Sequence, residues 1–221
     1  MKQEIYVIGT GGLSKEVYFL INEINNADSS SICDFKGFID VDRKFETLRI
    51  GNKLFDVFEE SDFINKNKND KSIQIAIGIG YPQVIKKVAE KFLPYFSFPN
   101  LIHPNFVGNK DSIEMGTGNI ITAGCVFTCD IKIGSFNYFN LICTLGHDSV
   151  VGSFNVINPG TNISGGVVIG DCNLIGTNAT ILQYIKIGNN STLGAGSLLN
   201  KELEDNTVKV GVPARPMQSK N

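Results

Sequence analysis

The most chemically distinctive residues of this chain are its two histidines, His103 and His147. Histidine is the side chain best suited to accept a proton near neutral pH, and a neighbouring carboxylate can orient its ring. His147 is followed directly by Asp148 in the short polar run GHD. On the residues alone, the pair fits either a general base with its orienting partner or two polar residues exposed at a turn.

The other potential ligands and nucleophiles indicate no metal site. His103 precedes Pro104 and is best explained as a packing or linker residue. With only two histidines, a single chain cannot form a metal site that needs three histidine ligands. The odd number and irregular spacing of the cysteines argue against a disulfide framework, and the C-x3-C at 125–129 lacks the second ligand pair of a zinc site. The five cysteines are Cys33, Cys125, Cys129, Cys143 and Cys172.

Charge and composition narrow the class of protein. Lys and Arg number 20 against 22 Asp and Glu in 221 residues, which leaves no excess positive charge for nucleic acid or an anionic membrane. No apolar run reaches the roughly 18 residues of a membrane span. The N-terminal stretch IYVI is too short for a signal peptide and leads directly into a glycine turn. We therefore expect a cytoplasmic protein that binds neither nucleic acid nor membranes.

The first hundred residues alternate strands with helices. The predicted strands cover 4–8, 35–39 and 73–77, and the predicted helices cover 14–25 and 82–92. This order is typical of a parallel sheet and predicts a small Rossmann-like domain over residues 1–100. Ligands of such domains lie outside the carboxyl ends of the strands, which here carry GTGG at 9–12, Asp40 and the glycines of 78–80.

The second half is an internal repeat. From Met115 to Leu199, every sixth residue is large and apolar, fifteen times in succession. The residue after it is glycine at eight of these steps and asparagine at three, so we expect a corner with positive φ at those positions. Three such sides make a triangular coil of eighteen residues, and five coils fit without an insertion. The repeat predicts a β-solenoid over residues 101–221 that needs caps at its ends.

Four segments carry a resemblance to a known family. They are GTGG after the first strand, LIHP at 101–104, GHDSVVG at 146–152 and VGVPARPM at 210–217. Together with the hexapeptide repeat, they resemble the left-handed β-helix sugar acetyltransferases, typified by bacillosamine-pathway and perosamine N-acetyltransferases and by sialic acid O-acetyltransferases. The resemblance covers essentially the whole chain. It implies a Rossmann-like N-terminal domain followed by a left-handed parallel β-helix, acetyl-CoA as co-substrate, no metal, and a homotrimer with active sites between subunits.

The resemblance also assigns residues. It makes His147 the catalytic base, supported by Asp148. The residues expected to bind a nucleotide sugar are Gly9, Thr10, Gly11, Gly12, Ser14, Lys15, Asp40, Gly78 and Asn140. The residues expected to contact acetyl-CoA are Gly165, Gly166, Ala195, Pro213 and Arg215. Without the resemblance, GTGG is a tight strand-to-helix turn, Asn140 is a corner residue, and the segment around Pro213 is a C-terminal cap.

Two positions depart from the family pattern. Many relatives have a histidine where this chain has Leu13, and several have a second histidine where this chain has Val156. His147 would therefore act without a histidine helper, and the oxyanion would depend on backbone N–H groups such as that of Gly165. We expect no cysteine or serine beside His147 as an acyl carrier except Ser149, which has no second base. We therefore favour direct attack in a ternary complex over an acyl-enzyme.

The sequence thus predicts an N-acetyltransferase that acetylates an amino group, at C4, of a nucleotide-linked amino-dideoxyhexose for surface polysaccharide assembly. The nearest alternative is an O-acetyltransferase acting on sialic acid or another sugar hydroxyl. A γ-type carbonic anhydrase shares the solenoid but needs three zinc-binding histidines, which this chain lacks. A non-catalytic nucleotide-sensing scaffold is a further alternative, and the GHD corner argues against it.

Overall fold

The structure is a computed structural model that describes residues 3–27 and 33–217. Its N-terminal half is a five-stranded sheet in the order β3-β4-β2-β1-β5, parallel except for the hairpin of β3 and β4. The strands are β1 (Gln3–Ile8), β2 (Cys33–Asp40), β3 (Thr47–Ile50), β4 (Lys53–Glu59) and β5 (Gln74–Ile77), and the helices are α1 (Gly12–Ala27), α2 (Glu60–Asn67) and α3 (Pro82–Phe92). The predicted Rossmann-like arrangement is confirmed.

The central strand explains why this half folds around β1. Ile5, Val7 and Ile8 are all buried, as expected of a strand covered on both faces between parallel neighbours. Helix α1 packs on the sheet through the apolar stripe that its helical spacing predicted, which includes Val17 and Ile21. Among the described residues, no helix is long and apolar enough to cross a bilayer.

The C-terminal half is a solenoid of three-sided coils. Its short strands lie in three sheets, which are parallel except for the antiparallel pair of the last two strands. One sheet contains β7 (Ile113–Met115), β10 (Ile131–Ile133), β13 (Val150–Val151), β16 (Val168–Ile169) and β19 (Lys186–Ile187). A second contains β6 (Leu101–Ile102), β8 (Ile120–Ile121), β11 (Tyr138–Phe139), β14 (Val156–Ile157), β17 (Leu174–Ile175), β20 (Thr192–Leu193), β22 (Val208–Val210) and β23 (Arg215–Pro216). The third contains β9 (Val126–Phe127), β12 (Thr144–Leu145), β15 (Asn162–Ile163), β18 (Thr180–Ile181) and β21 (Leu198–Leu199).

The hexapeptide period is the register of this solenoid. Leu145 pairs with Phe127 and Ile163, each eighteen residues away, and the same spacing holds in all three sheets from β7 to β21. Of the fifteen apolar positions from Met115 to Leu199, all are buried except Met115, which is half-buried at the first coil. One inward aliphatic or aromatic side chain per side therefore forms the core of the β-helix.

The explanation offered above for the glycines that follow the inward residues is wrong. None of those eight glycines has positive φ; the left-handed residues lie two positions further on, as Asp148 does at φ 59°. At Gly146, a Cβ would collide with the backbone nitrogen of Gly165 in the next coil. These glycines are required because neighbouring coils approach too closely for a side chain, and not because the backbone turns there.

A ladder of buried asparagines connects the coils at a second corner. Asn137 donates from Nδ2 to the Asn119 Oδ1 and to the carbonyl oxygen of Gly152, and its own Oδ1 accepts from the N–H groups of Asn155. The four ladder residues are Asn119, Asn137, Asn155 and Asn173. All their buried amide groups are satisfied, so the ladder holds one coil in register with the next.

A hydrophobic cluster joins the two halves and is separate from the core inside the β-helix. Phe136 packs edge-on against Phe98 at a centroid distance of 5.1 Å, and Tyr138 and Val156 on the β-helix wall belong to the cluster formed by the N-terminal sheet and helices. At the other end, the Ala214 N–H donates to the Leu198 oxygen and closes the last coil. The N-terminal half is therefore seated directly on the side of the β-helix that carries β11 and β14.

Candidate active site

His147 and Asp148 lie in the turn between β12 and β13. The His147 Nδ1 is 2.7 Å from the Asp148 Oδ2, and the side chains are 55% and 66% exposed. In the tautomer that donates from Nδ1 to this carboxylate, Nε2 carries a free lone pair. A ring oriented in this way can remove a proton from a bound nucleophile.

In the next coil, Gly165 and Gly166 have no side chains and leave a notch beside this imidazole. A Cβ on Gly165 would lie 2.5 Å from the His147 Nε2, so only glycine leaves the ring its position. The Gly166 N–H donates to the His147 carbonyl oxygen at 2.7 Å, whereas the Gly165 N–H has no hydrogen-bond partner among the described residues. The arrangement places an N–H group without a partner in the described residues beside a base, and stabilisation of an oxyanion needs such a donor.

Tyr184 closes the far side of the notch and was missed from the sequence. Gly166 has φ 68°, and a Cβ there would collide with the ring of Tyr184, which is 72% exposed. Tyr184 lies eighteen residues after Gly166 and thirty-six after Asp148, so the eighteen-residue spacing could have identified it. The notch is thus bounded by an imidazole on one side and a phenol ring on the other.

The expectation that no cysteine or serine other than Ser149 lies beside His147 is wrong. Ser149 is fully buried, with its Oγ directed to the Ser164 oxygen inside the solenoid. Cys129 instead lies one coil before His147, because Phe127 pairs with Leu145. Its carbonyl oxygen accepts from the Asp148 N–H at 3.2 Å, and its side chain is exposed.

A cleft of about 430 Å³ separates the glycine turn from the β-helix wall. It brings together five of the residues expected to bind a nucleotide sugar: Gly9, Gly11, Gly12, Gly78 and Asn140. The Asn140 Oδ1 accepts from the Leu141 N–H, and its NH2 group makes no hydrogen bond within the described part of the chain. The cleft therefore has backbone amides on one wall and a carboxamide on the other.

The other four expected residues lie outside this lining. Thr10 donates its hydroxyl proton to the Asp40 carboxylate at the ends of β1 and β2. Lys15 is exposed on the first turn of α1. Ser14 is fully buried and donates to the Gly78 oxygen at 3.0 Å, so its role as a ligand contact is corrected to that of a residue that holds the glycine turn against β5.

The two departures from the family pattern meet in this same cleft. Leu13 approaches it from the glycine turn and Val156 from the β-helix wall. Tyr138 stands beside Val156 in the register of β11 with β14, and it was not identified from the sequence. Leu13, Tyr138 and Val156 therefore give the cleft an apolar part beside its glycines and Asn140.

The remaining expected residues are spread over the solenoid. Ala195 follows β20 and lies at the same corner of the β-helix as Asn140. Gly165 and Gly166 lie at the next corner, after β15. A Cβ on Gly176 would collide with the Ala195 backbone nitrogen, which shows how closely these coils stack. Arg215 is exposed at the last coil. One chain therefore does not gather the expected acetyl-CoA contacts at one corner.

Two family models match the chain. Residues 4–92 match the PglD N-terminal domain, and residues 166–201 match the bacterial transferase hexapeptide (six repeats). No curated protein sequence is significantly similar to the chain.

Several solved structures share the whole fold. A mutant of perosamine N-acetyltransferase from Caulobacter crescentus, in complex with CoA and GDP-perosamine, superposes with a TM-score of 0.85 at 23% identity, covering 98% of this chain and 97% of that one. The acetyltransferase domain of PglB from Neisseria gonorrhoeae FA1090, in complex with acetyl coenzyme A, gives 0.85 at 24% identity, covering 98% and 100%. WeeI from Acinetobacter baumannii AYE gives 0.80 at 27% identity, covering 96% and 99%.

These matches agree with the element order, the eighteen-residue coil and the glycine turn. The predicted fold, a Rossmann-like domain on a left-handed β-helix, is confirmed. The chain therefore combines a domain of the PglD N-terminal type with a hexapeptide-repeat β-helix, and it shares this fold with the acetyltransferases named above.

Proposed function

We propose that this protein transfers an acetyl group from acetyl-CoA to the amino group, at C4, of a nucleotide-linked amino-dideoxyhexose used in surface polysaccharide assembly. The observation that carries the proposal is the His147–Asp148 pair, whose imidazole opens on the notch at Gly165. The neighbours that share the fold support it, since one was crystallised with CoA and GDP-perosamine and another with acetyl coenzyme A. Because acetyl-CoA and nucleotide sugars are cytoplasmic metabolites, we place the reaction in the cytoplasm.

His147 is proposed to act as the general base. Its Nε2 accepts the proton that the amine loses as nitrogen attacks the thioester carbonyl, and Asp148 stabilises the resulting imidazolium. The C–N bond forms, the C–S bond breaks, and His147 returns the proton to the departing CoA thiolate. The Gly165 N–H, which has no hydrogen-bond partner among the described residues, is proposed to donate to the oxyanion of the tetrahedral intermediate.

The cleft between the two halves is proposed to hold the nucleotide sugar. Gly11 and Gly12 stand where helix α1 begins, a position whose free N–H groups and dipole favour the diphosphate. Asp40 would contact the ribose or the base, and Asn140 the hexose. Acetyl-CoA would lie along the β-helix beside Gly165 and its neighbours.

We further propose a homotrimer with active sites between subunits. Within one chain, the cleft and the His147 notch lie at different corners of the β-helix, and the expected acetyl-CoA contacts are divided in the same way. A neighbouring copy that places its His147 corner against the cleft would complete the site. Three such contacts close a ring, as heterologous interfaces can.

The test is mass spectrometry of products formed from acetyl-CoA and a panel of nucleotide-linked amino sugars, with His147→Ala as the matched inactive control. We expect a mass increase of one acetyl group on an amino sugar and none on its 4-hydroxy analogue. Acetylation of the hydroxyl analogue or of free sialic acid alone would contradict the proposal.

A further inference from the structure

Tyr184 has a backbone conformation that its side chain disfavours. Its φ of 58° lies in the left-handed region, where a bulky residue is strained. The equivalent corner positions of the three preceding coils hold Asp130, Asp148 and Gly166, which tolerate positive φ better. The residue is 72% exposed, so little apolar burial offsets the strain. Strained residues are concentrated at functional sites, and the reaction proposed above does not use Tyr184.

The ring of Tyr184 lies over Gly166. A Cβ on Gly166 would collide with the ring atoms Cδ1 and Cε1, and a Cβ on Gly165 would meet the ring of His147. The Tyr184 N–H donates to the Gly165 oxygen at 3.0 Å, which places Tyr184 in the coil directly after the two glycines. The imidazole and the phenol ring therefore stand over neighbouring residues, one from the coil before the glycines and one from the coil after them.

The proposed position of the thioester determines which part of the coenzyme reaches this ring. The carbonyl oxygen is proposed to lie on the Gly165 N–H, within reach of His147, and the sulfur and the cysteamine methylenes continue from there. Pro213 and Arg215, expected to contact the coenzyme, lie beyond Tyr184 at the C-terminal end of the solenoid. A coenzyme arm that runs from the notch toward that end passes the exposed ring of Tyr184.

The phenol ring suits that part of the coenzyme. The cysteamine arm presents a sulfur atom and two methylene groups, and aromatic rings make favourable contacts with both. The contact also removes apolar surface of the ring and of the arm from water. Because the ring already rests on Gly166, binding requires little further ordering of the side chain.

We propose that Tyr184 is a binding residue for the acyl donor, whose ring packs against the cysteamine arm of acetyl-CoA and holds the thioester over Gly165. The inference rests on the proposed function, because it takes the notch to be the place where acetyl-CoA reacts. It explains why a strained, exposed tyrosine stands at this corner. A residue that tolerates positive φ should therefore weaken coenzyme binding without destabilising the free protein.

The first experiment titrates CoA calorimetrically into the wild-type protein and into Tyr184→Asn, Tyr184→Phe and Ile142→Asn. Ile142 is a matched control, because it has φ 54°, is 62% exposed and lies over Gly124 as Tyr184 lies over Gly166. We expect the Kd for CoA to rise about tenfold in Tyr184→Asn and to stay within about twofold in the other two variants. Without ligand, the Tm of Tyr184→Asn should fall by no more than about 2 °C, since asparagine relieves the strain.

The second experiment compares acetyl-CoA with S-acetylpantetheine, which has the cysteamine arm but lacks the nucleotide. We expect Tyr184→Asn to lower kcat/KM by the same factor, about tenfold, for both donors and to leave the KM for the nucleotide sugar unchanged. A loss confined to acetyl-CoA would place Tyr184 at the nucleotide end of the coenzyme and overturn the inference.

Two results of the titration would also overturn the inference while leaving the proposed function intact. They are an unchanged Kd for CoA in Tyr184→Asn and a Tm far below that of the wild-type protein, which would show that the ring serves the fold. A wild-type protein that binds no CoA would overturn both the inference and the proposed function. A wild-type protein that binds CoA but acetylates no amino sugar would overturn the proposed function alone, because the titration needs no acceptor.

Discussion

Asn140 and His147 belong to the same coil of the β-helix but stand at different corners, separated by strand β12. The chain between them turns at Leu141 and Ile142 and then runs along β12, so one flat side of the coil lies between the two side chains. A sugar amine held beside Asn140 is therefore out of reach of the His147 in the same chain. Our first prediction follows from this separation.

We expect two individually inactive variants to restore activity to each other when they are mixed. Gly11→Trp should block the cleft without strain, since a Cβ at Gly11 meets no atom within 4 Å, and His147→Ala removes the base. In randomly mixed trimers, about a quarter of the sites would combine an open cleft with an intact His147 from a neighbour. Activity after joint refolding is the measurement.

Light scattering should show a mass three times that of one chain for both variants. No activity in mixed trimers would place each complete site within a single subunit and contradict the proposed assembly.

For His147→Ala, we expect kcat to fall about 10²- to 10⁴-fold with little change in either KM, because a general base acts on the transition state more than on the bound ground state. Part of the rate should return at high pH, where the substrate amine loses its proton to water. His103→Ala is the matched control, since its Nδ1 accepts only from the nearby Asn105 N–H. A His147→Ala enzyme that keeps more than about a third of its kcat near neutral pH would remove His147 from the mechanism.

For Asp40→Ala, we expect the apparent KM for the nucleotide sugar to rise about tenfold, or about 1.4 kcal/mol, while that for acetyl-CoA stays nearly constant. The Asp40 carboxylate accepts a hydrogen bond from the Thr10 hydroxyl of the glycine turn. Asp42→Ala, two residues further along an exposed segment, is the control. Equal effects on both KM values would mean that the N-terminal half is not the nucleotide site.

The exposed thiol of Cys129 offers a probe of the notch. We expect iodoacetamide to alkylate Cys129 before the other cysteines and acetyl-CoA to slow the reaction, since the thiol lies one coil before His147. Cys125 and Cys143 are fully buried, and burial raises the pKa of Cys33 and Cys172, which keeps those thiols protonated and less reactive. Peptide mapping gives the site of labelling. Equal labelling with and without acetyl-CoA would place the coenzyme elsewhere.

The asparagine ladder predicts a large effect of one substitution on stability. Asn137→Leu should lower the free energy of unfolding by about 2–4 kcal/mol, because it leaves the buried Asn155 N–H groups and the Gly152 oxygen without their partner. Asn162→Leu, at an exposed asparagine on β15, is the control and should cost far less. Urea denaturation measures both. Similar losses for the two variants would mean that the ladder adds no stability of its own.

The sequence predicts the solenoid well because each hexad has one inward position, and every residue from Ile121 to Leu199 at that spacing is buried. It predicts the backbone less well. Glycine after the inward residue suggests a left-handed corner, yet Gly146 is small because the next coil touches it, and the positive φ falls on Asp148. A close approach between coils and a left-handed turn both favour glycine, so the sequence alone does not distinguish them.

The candidate site was predicted only in part, for a related reason. The GHD motif and the glycine turn are each local in sequence, and each was found. The site also includes residues whose contacts are eighteen or more positions away or in the other half of the chain: Cys129, Tyr184 and Tyr138. The docking of the N-terminal sheet on the β11 side brings Leu13 and Val156 into one cleft, and no local pattern encodes that docking.

The uninterrupted coils also limit how such a molecule can change. Neighbouring coils are hydrogen-bonded strands spaced about 4.8 Å apart, so the height of His147 above the end of the solenoid varies only in whole steps of that size. Loss of one coil is accommodated by the register, whereas loss of a few residues would misalign every asparagine beyond it. Substitutions can change the side chains that line the cleft and the notch. The distance between the two sites along the solenoid axis changes only with the number of coils.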